Sequence, residues 1–544
     1  MLRISQRFAV SLFALLGLAG SAVGQGAVQV SAGSGALLSP RLNFSAAEME
    51  LAQAVAGQPY LAEFYGGNGL KPVFQGAEGR ALREALRRVA VDAPQHGLPR
   101  SRYRPTALKT TENGLRAELL FAGMLARYLS DMTGGALDPQ SVSDQNHRQV
   151  RRPAIGPLMA AFVDAAYPVA FLRQQAPAHP AYTALQDALA GPRKLTVPTH
   201  LPPAPEAVWR VGMRGKGVLP LRDRLASIGF GAEVADPMLY DAALSIAVSR
   251  YQGAVGLSAD GIAGPNTIRY LNGDIDATTD WRSRKIVAAL ERMRWLGGED
   301  LEARHVWVNI PEYSARIVDG GAEVFNTRVV VGKAEARLQT PEFSDSMEYV
   351  VVNPRWNVPR SITVREYLPR LKANRHALSH LDVVDGRGGV VARGSIDFGR
   401  YTAASFPYRM RQKPGPSNAL GLVKFIFPNR WNIYLHDTPS KHLFGNRTRA
   451  YSHGCVRVGD PFDLARALLS RQSSDPAALF QRALDSDRER WLKLTPEVPV
   501  HLVYFTAYPD KSGRIRYFED VYGRDDAILR GLDAIALDSA GESE

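Results

Sequence analysis

The chain has 544 residues, 45% of them hydrophobic and 22% charged, with a formal net charge of +12. Ordinary globular composition at this length excludes a largely disordered or fibrous chain and suggests three or four domains of roughly 150 residues each. The positive charge suits an anionic partner, but no RRM, zinc-finger or helix-turn-helix signature is present, so nucleic acid is not an expected partner.

Arg3 and Arg7, the apolar run from Phe8 to Leu18, and Ala22-Val23-Gly24 predict a signal peptide over residues 1–24. The run is too short for a membrane span, which takes about 20 apolar residues, and no later segment qualifies. No cysteine lies near the cleavage site, so no lipoprotein anchor is expected, and the mature protein is placed in a bacterial periplasm. Residues 25–44, rich in Gly, Ala and Ser, read as a flexible leader. Apolar residues at three- and four-residue steps predict helices over 46–56, 78–92, 114–132 and 157–175. They belong to an all-helical scaffold, residues 45–200, with no evident chemistry.

A proline-rich linker (Pro198, Pro202, Pro203, Pro205) leads to a small three-helix module at 207–275. Its helices are expected at 218–228, 240–255 and 265–271, with a turn at Asp260-Gly261 and Gly264-Pro265. A helix is expected at 284–296, after which the period changes to two. Strands are expected at 306–310, 315–318, 325–331, 349–353, 421–427 and 431–436, with a hairpin of 500–507 and 514–518. Residues 360–418 between them are basic and irregular (Arg393, Arg400, Arg409, Arg411, Lys413), the size of a functional or mobile insertion. One helix, 461–469, follows the cysteine, and residues 521–544 read as a tail. The fold class is multidomain α+β, with a mixed β-rich domain at 282–520.

Cys455 is the sole cysteine, so it has no disulfide partner within the chain. A free cysteine is commonly a small core residue. A thiol reacts only as the thiolate, and so needs a base or cation beside it near neutral pH. His453, two residues away, would share a face with Cys455 on a strand, whereas His436, 19 residues upstream, must reach it from a neighbouring strand.

His436, followed by Ser452-His453-Gly454-Cys455-Val456-Arg457, resembles the catalytic motif of the L,D-transpeptidases. Glu291-Arg292-Met293-Arg294-Trp295, Asn353-Pro354-Arg355-Trp356-Asn357 and Gly415-Pro416-Ser417-Asn418 are similar to the large periplasmic members. Those members have a helical scaffold, a peptidoglycan-binding module and a catalytic domain with a capping insertion. The 207–275 module resembles that peptidoglycan-binding module through Asp260-Gly261 and Gly264-Pro265-Asn266-Thr267. Its matching positions are mostly fold-determining, so glycan binding stays open.

The resemblance implies that Cys455 is the nucleophile and His436 the general base, oriented by the backbone carbonyl of Asp437. It implies an oxyanion hole from the Gly454 and Cys455 amides. Ser452, His453, Arg457 and Tyr434 would support the site or hold substrate; for Arg457 an internal ion pair is the alternative. The implied reaction joins peptidoglycan stem peptides by 3→3 cross-links, releasing D-Ala from a tetrapeptide donor. Covalent inactivation by carbapenems is implied as well. No cofactor or metal is expected: H-E-x-x-H is absent, and no serine has the S-x-x-K spacing of a D,D-transpeptidase. A non-enzymatic wall-binding scaffold would better suit a chain lacking either His436 or Cys455. The acyl acceptor and the oligomeric state are not legible.

Overall fold

The computed structural model describes residues 44–110, 114–190, 200–254, 257, 260–273 and 281–541. The expected signal peptide, and the leader up to residue 43, lie outside the described residues. Among those described, no helix is long and apolar enough to cross a membrane.

Helices Pro59–Gly67, Arg80–Asp92, Gly114–Gly134, Ile155–Val163, Pro168–Arg173 and Pro180–Ala190 build the helical region. Its main core holds Leu86, Phe121, Leu125, Leu129 and Phe162. The single helix expected at 157–175 is two helices. Pro168 has no N–H to continue the first, and it sits in the opening turn of the second, where its fixed φ is favourable. Residues 521–544 are not simply a tail. Helix Arg524–Gly541 lays Ile528 and Leu532 into the core of the helical region, more than 300 residues away in the chain. A stripe this sparse becomes legible only once its partner surface exists.

The small module packs helices Val218–Ser227, Ala242–Ala254 and Pro265–Asn272 around Leu221, Leu225, Val248 and Ile268. Gln252 organises its turn. The amide Nε2 donates to Asp260 Oδ1 and to the Ile262 carbonyl, and Oε1 accepts from Gly261 N–H, each at 2.9 Å. The motif residues are thus spent on the fold.

Helix Trp281–Arg294 joins the regions. Glu291 and Arg294 are fully buried and paired at 2.5 Å. Arg294 also donates to the His96 carbonyl and the Tyr182 hydroxyl, while Glu291 accepts from Leu137 N–H. A charge pair stripped of water persists only when its remaining hydrogen-bonding positions are filled, and here they are filled by the helical region.

Fourteen strands follow: β1 His305–Asn309, β2 Ser314–Asp319, β3 Ala322–Gly332, β4 Phe343–Val352, β5 Trp356–Asn357, β6 Leu381–Val384, β7 Arg409–Gln412, β8 Val423–Ile426, β9 Leu435–His436, β10 Ala450–Ser452, β11 Val456–Val458, β12 Arg490–Val503, β13 Ala507–Pro509 and β14 Ile515–Tyr517. The main sheet runs β10-β3-β11-β9-β8-β4-β12-β1-β2, and β2 pairs with β3, so it closes on itself. Alternate residues such as Val308, Val350, Phe425, Leu435 and Val456 fill its interior.

Three expectations change here. Val500–Val503 end a 14-residue strand that pairs with β4 and β1, and it is β13 that forms the hairpin with β14. The outer half of β12 escaped notice because Pro496 and Pro499 interrupt an exposed, charged run. Two helices, Pro461–Leu469 and Pro476–Leu484, follow the cysteine rather than one. The insertion is not irregular. Strands in the order β5-β7-β6 and a core of Trp356, Leu371, Phe398 and Phe406 make it a compact subdomain. Strands of two to four residues are too short to display a period.

Leu532→Ala should lower stability by about 2–5 kcal/mol through lost burial and a cavity. Urea unfolding followed by circular dichroism checks this, and an unchanged midpoint would mean that the C-terminal helix does not belong to the core.

Candidate active site

The strand expected over 431–436 is shortened to β9 because Asn429 closes a turn ahead of it. Asn429 Oδ1 accepts from Trp431 N–H at 3.1 Å and from Ile433 N–H at 3.0 Å. Its amide donates to the Phe427 and Ile433 carbonyls, both at 2.7 Å. β9 then runs parallel to β11, with Leu435 opposite Val456 and His436 opposite Arg457, and antiparallel to β8, with Lys424 opposite His436. Leu435, Val456 and Val458 point into the core. Alternation therefore places His436, Arg457 and Lys424 on the opposite face, with Tyr434 and Cys455 at the adjoining positions.

His436 is buried, and its Nδ1 lies 2.5 Å from the Asp437 carbonyl. That bond leaves Nε2 as the acceptor. Burial, then the Arg457 cation, hold the imidazole down at about 3, with Lys424 adding to the effect; it is a neutral base. The Asp437 carboxylate faces elsewhere, accepting from Leu422 N–H at 2.9 Å, Thr438 N–H at 2.6 Å and Lys441 Nζ at 2.6 Å. Gly421, at φ +59°, is required here, since any Cβ would strike that carboxylate.

Cys455 is partly exposed, yet its surroundings desolvate the thiol and push it up to about 11, against the opposing pull of Tyr434 and Arg457. Its Sγ–H donates to the Asn432 carbonyl at 3.6 Å. The resemblance leads one to expect the thiol directed to His436; in this structure its proton goes to Asn432. The resting pair is a neutral thiol beside a neutral imidazole. Tyr434 hydrogen-bonds the sulfur through its hydroxyl.

Arg457 has no carboxylate partner among the described residues, so the internal ion pair is not formed, and its buried Nε lacks an acceptor. The Gly454 amide is not free for an oxyanion. It donates to Ser452 Oγ at 3.1 Å, while Ser452 Oγ–H donates to the Cys455 carbonyl at 2.5 Å and closes the turn. The Cys455 N–H has no protein acceptor among the described residues. His453 does not share a strand face with Cys455, because residues 453–455 form a bend between β10 and β11. Its Nε2 instead lies 2.8 Å from Glu366 Oε1. Glu366 sits on a π-helical turn, Thr363–Tyr367, of the insertion. Sequence reasoning missed Glu366, Asn432 and Lys424; an acidic residue in a basic insertion was the one available signal.

Residues 303–488 match the family model described as "L,D-transpeptidase catalytic domain", 59–189 a "Scaffold domain", and 214–271 a "Putative peptidoglycan binding domain". The chain carries an L,D-transpeptidase catalytic domain.

A Haemophilus influenzae protein named "Putative L,D-transpeptidase" is 36% identical over 225 residues, 41% of this chain and 45% of that protein. A Zinc D-Ala-D-Ala carboxypeptidase of Streptomyces albus G is 37% identical over 97 residues, 15% of this chain and 38% of its own length. The chain thus spans less than half the length of the curated relatives it matches. A solved L,D-transpeptidase (residues 123–326) from Xylanimonas cellulosilytica is covered in full by 56% of this chain, at 18% identity and a TM-score of 0.16, too low to bear on the fold. β12, which closes the L,D-transpeptidase domain's sheet between β4 and β1, lies beyond the matched residues.

A thiol this hard to ionise should alkylate slowly at neutral pH. The iodoacetamide rate at Cys455 should climb about tenfold per pH unit from pH 7 to 10 as thiolate appears. A rate already level by pH 8 would instead indicate a thiolate–imidazolium ion pair.

Proposed function

We propose that the protein is a peptidoglycan L,D-transpeptidase that forms 3→3 cross-links through a thioester on Cys455. The observation that carries this reading is the neutral imidazole of His436, tethered through Nδ1 on the strand beside Cys455, within a matched L,D-transpeptidase domain.

The donor is a tetrapeptide stem. As its third-residue carbonyl enters, the thiol turns from Asn432 and passes its proton to His436 Nε2 while sulfur attacks carbon. The Cys455 N–H receives the developing oxyanion. Collapse breaks the amide bond, and the imidazolium proton leaves with the amine of D-Ala. The side-chain amine of a second stem, diaminopimelate in most Gram-negative walls, then attacks the thioester. His436 takes its surplus proton, and the departing thiolate recovers it. Arg457, which has no counter-charge among the described residues, is suited to a stem carboxylate. Water as acceptor would make the same site a carboxypeptidase. The 214–271 module fits peptidoglycan as the partner, and the N-terminal sequence fits export to a periplasm.

Incubation with disaccharide-tetrapeptide should yield cross-linked dimer minus D-Ala by mass spectrometry, and Cys455→Ala should abolish it while staying folded. Dimer formation by the folded variant would refute the nucleophile. Meropenem should leave one covalent adduct on the intact protein and none on Cys455→Ala; an adduct on the variant would place the acylated residue elsewhere.

A further inference from the structure

Two backbone carbonyls tie the nucleophile and its loop to more distant parts of the fold. One is the Asn432 carbonyl, which takes the thiol proton. The other is the Gly454 carbonyl, which accepts from Thr340 Oγ1 at 2.7 Å. Both lead to one segment of the helical region. At the first point, Trp431, the neighbour of Asn432, is clasped between two rings. His147 stacks on it at 4.4 Å and 14°, and Phe343 lies 4.6 Å away. Asn432 itself adopts φ +55°, a left-handed conformation that asparagine tolerates in turns.

At the second point, Thr340 sits in a buried network. Arg524 donates to the Thr340 carbonyl at 3.0 Å, to Gln339 Oε1 at 2.9 Å and to Glu342 Oε1 at 2.8 Å. Tyr522 donates its hydroxyl to the Gly332 carbonyl at 2.6 Å, and Gly332 N–H reaches Thr340 Oγ1 at 2.9 Å. The backbone of Glu342 then returns to the helical region. His147 N–H donates to the Glu342 carbonyl and Glu342 N–H to the Gln145 carbonyl, both at 2.8 Å. Neither His147 nor Tyr522 and Arg524 lie within the matched catalytic domain.

We propose that His147, from the helical region, is a positioning residue for Cys455. Its ring fixes the Trp431–Asn432 turn that holds the thiol, and its backbone anchors the Glu342–Arg524–Thr340 network that holds Gly454. The ring acts as a flat surface. Burial and the nearby Arg430 and Arg524 cations favour its uncharged form, so another flat ring can replace it.

The inference rests on Cys455 being the nucleophile, and two readouts separate the questions. In the full chain, His147→Ala should lower kcat on disaccharide-tetrapeptide by about ten- to a hundredfold, the scale of a displaced reacting group. KM should stay within about twofold, and His147→Phe should restore most of the rate. The iodoacetamide profile of Cys455 in His147→Ala should shift to lower pH, because a carbonyl that accepts from a thiol favours its protonated form. Should His147→Ala not fold, Thr340→Val tests the other arm: kcat should fall similarly, and Thr340→Ser should recover it. A wild-type profile and rate in His147→Ala, or equal loss in the Ala and Phe variants, would overturn the proposal. No turnover by the wild type would sink the functional reading, while the alkylation profile would still decide the positioning role.

Discussion

The parallel pairing of β9 with β11 is the constraint on which the site depends, and it is only two residue pairs long. Its register is set by the hydrophobic effect rather than by hydrogen bonds alone. Leu435, Val456 and Val458 must enter the closed sheet's interior, and a slip by one residue would send His436 inward and its leucine outward. Because the strands are so short, their ends are secured by side chains. Asn429 ties off the turn before β9, the Asp437 carboxylate secures the chain after it, and Ser452 bridges the bend before β11.

This arrangement gives the site an unusual charge balance. His436 faces Arg457 and Lys424 and is oriented by a carbonyl rather than by a carboxylate, so burial and the two cations outweigh the pull of Asp437 and keep the imidazole neutral in the resting state. The adjacent Asp437 carboxylate is engaged by two backbone amides and Lys441. Cys455 is desolvated alongside it. Two neutral groups waiting for a substrate protect a thiol from oxidation better than a standing thiolate would.

The helical region is more than a separate support. Arg294 and Glu291 bury a complete ion pair within it, and Arg148 reaches into the catalytic sheet to bond Ser344 Oγ at 2.7 Å and the Leu502 carbonyl at 3.1 Å. Removing either member of the Glu291–Arg294 pair would strand a charge away from water, so the junction is costly to break. The C-terminal helix adds apolar burial to the same junction through Ile528 and Leu532.

Local signals were legible wherever structure is local. The helix Pro461–Leu469 and the three helices of the small module follow from spacing, proline and glycine, and the motif around Cys455 carried the resemblance to the matched catalytic domain in adjacent residues. Short strands, the insertion's core and the C-terminal helix were not legible, because each is stabilised by partners distant in the chain. The same division runs through the site. Sequence alone determined that Cys455 is the sole cysteine and that His436 could reach it only from a neighbouring strand, which is where β9 lies; their pairing in catalysis is what the resemblance implies. Only the tertiary structure decided that the thiol proton goes to a carbonyl 23 residues upstream, that His453 meets Glu366 across 87 residues, and that Gly454 is held by Thr340 across 114. Each of those contacts depends on which loop the closed sheet brings beside which, and no residue type or spacing encodes that.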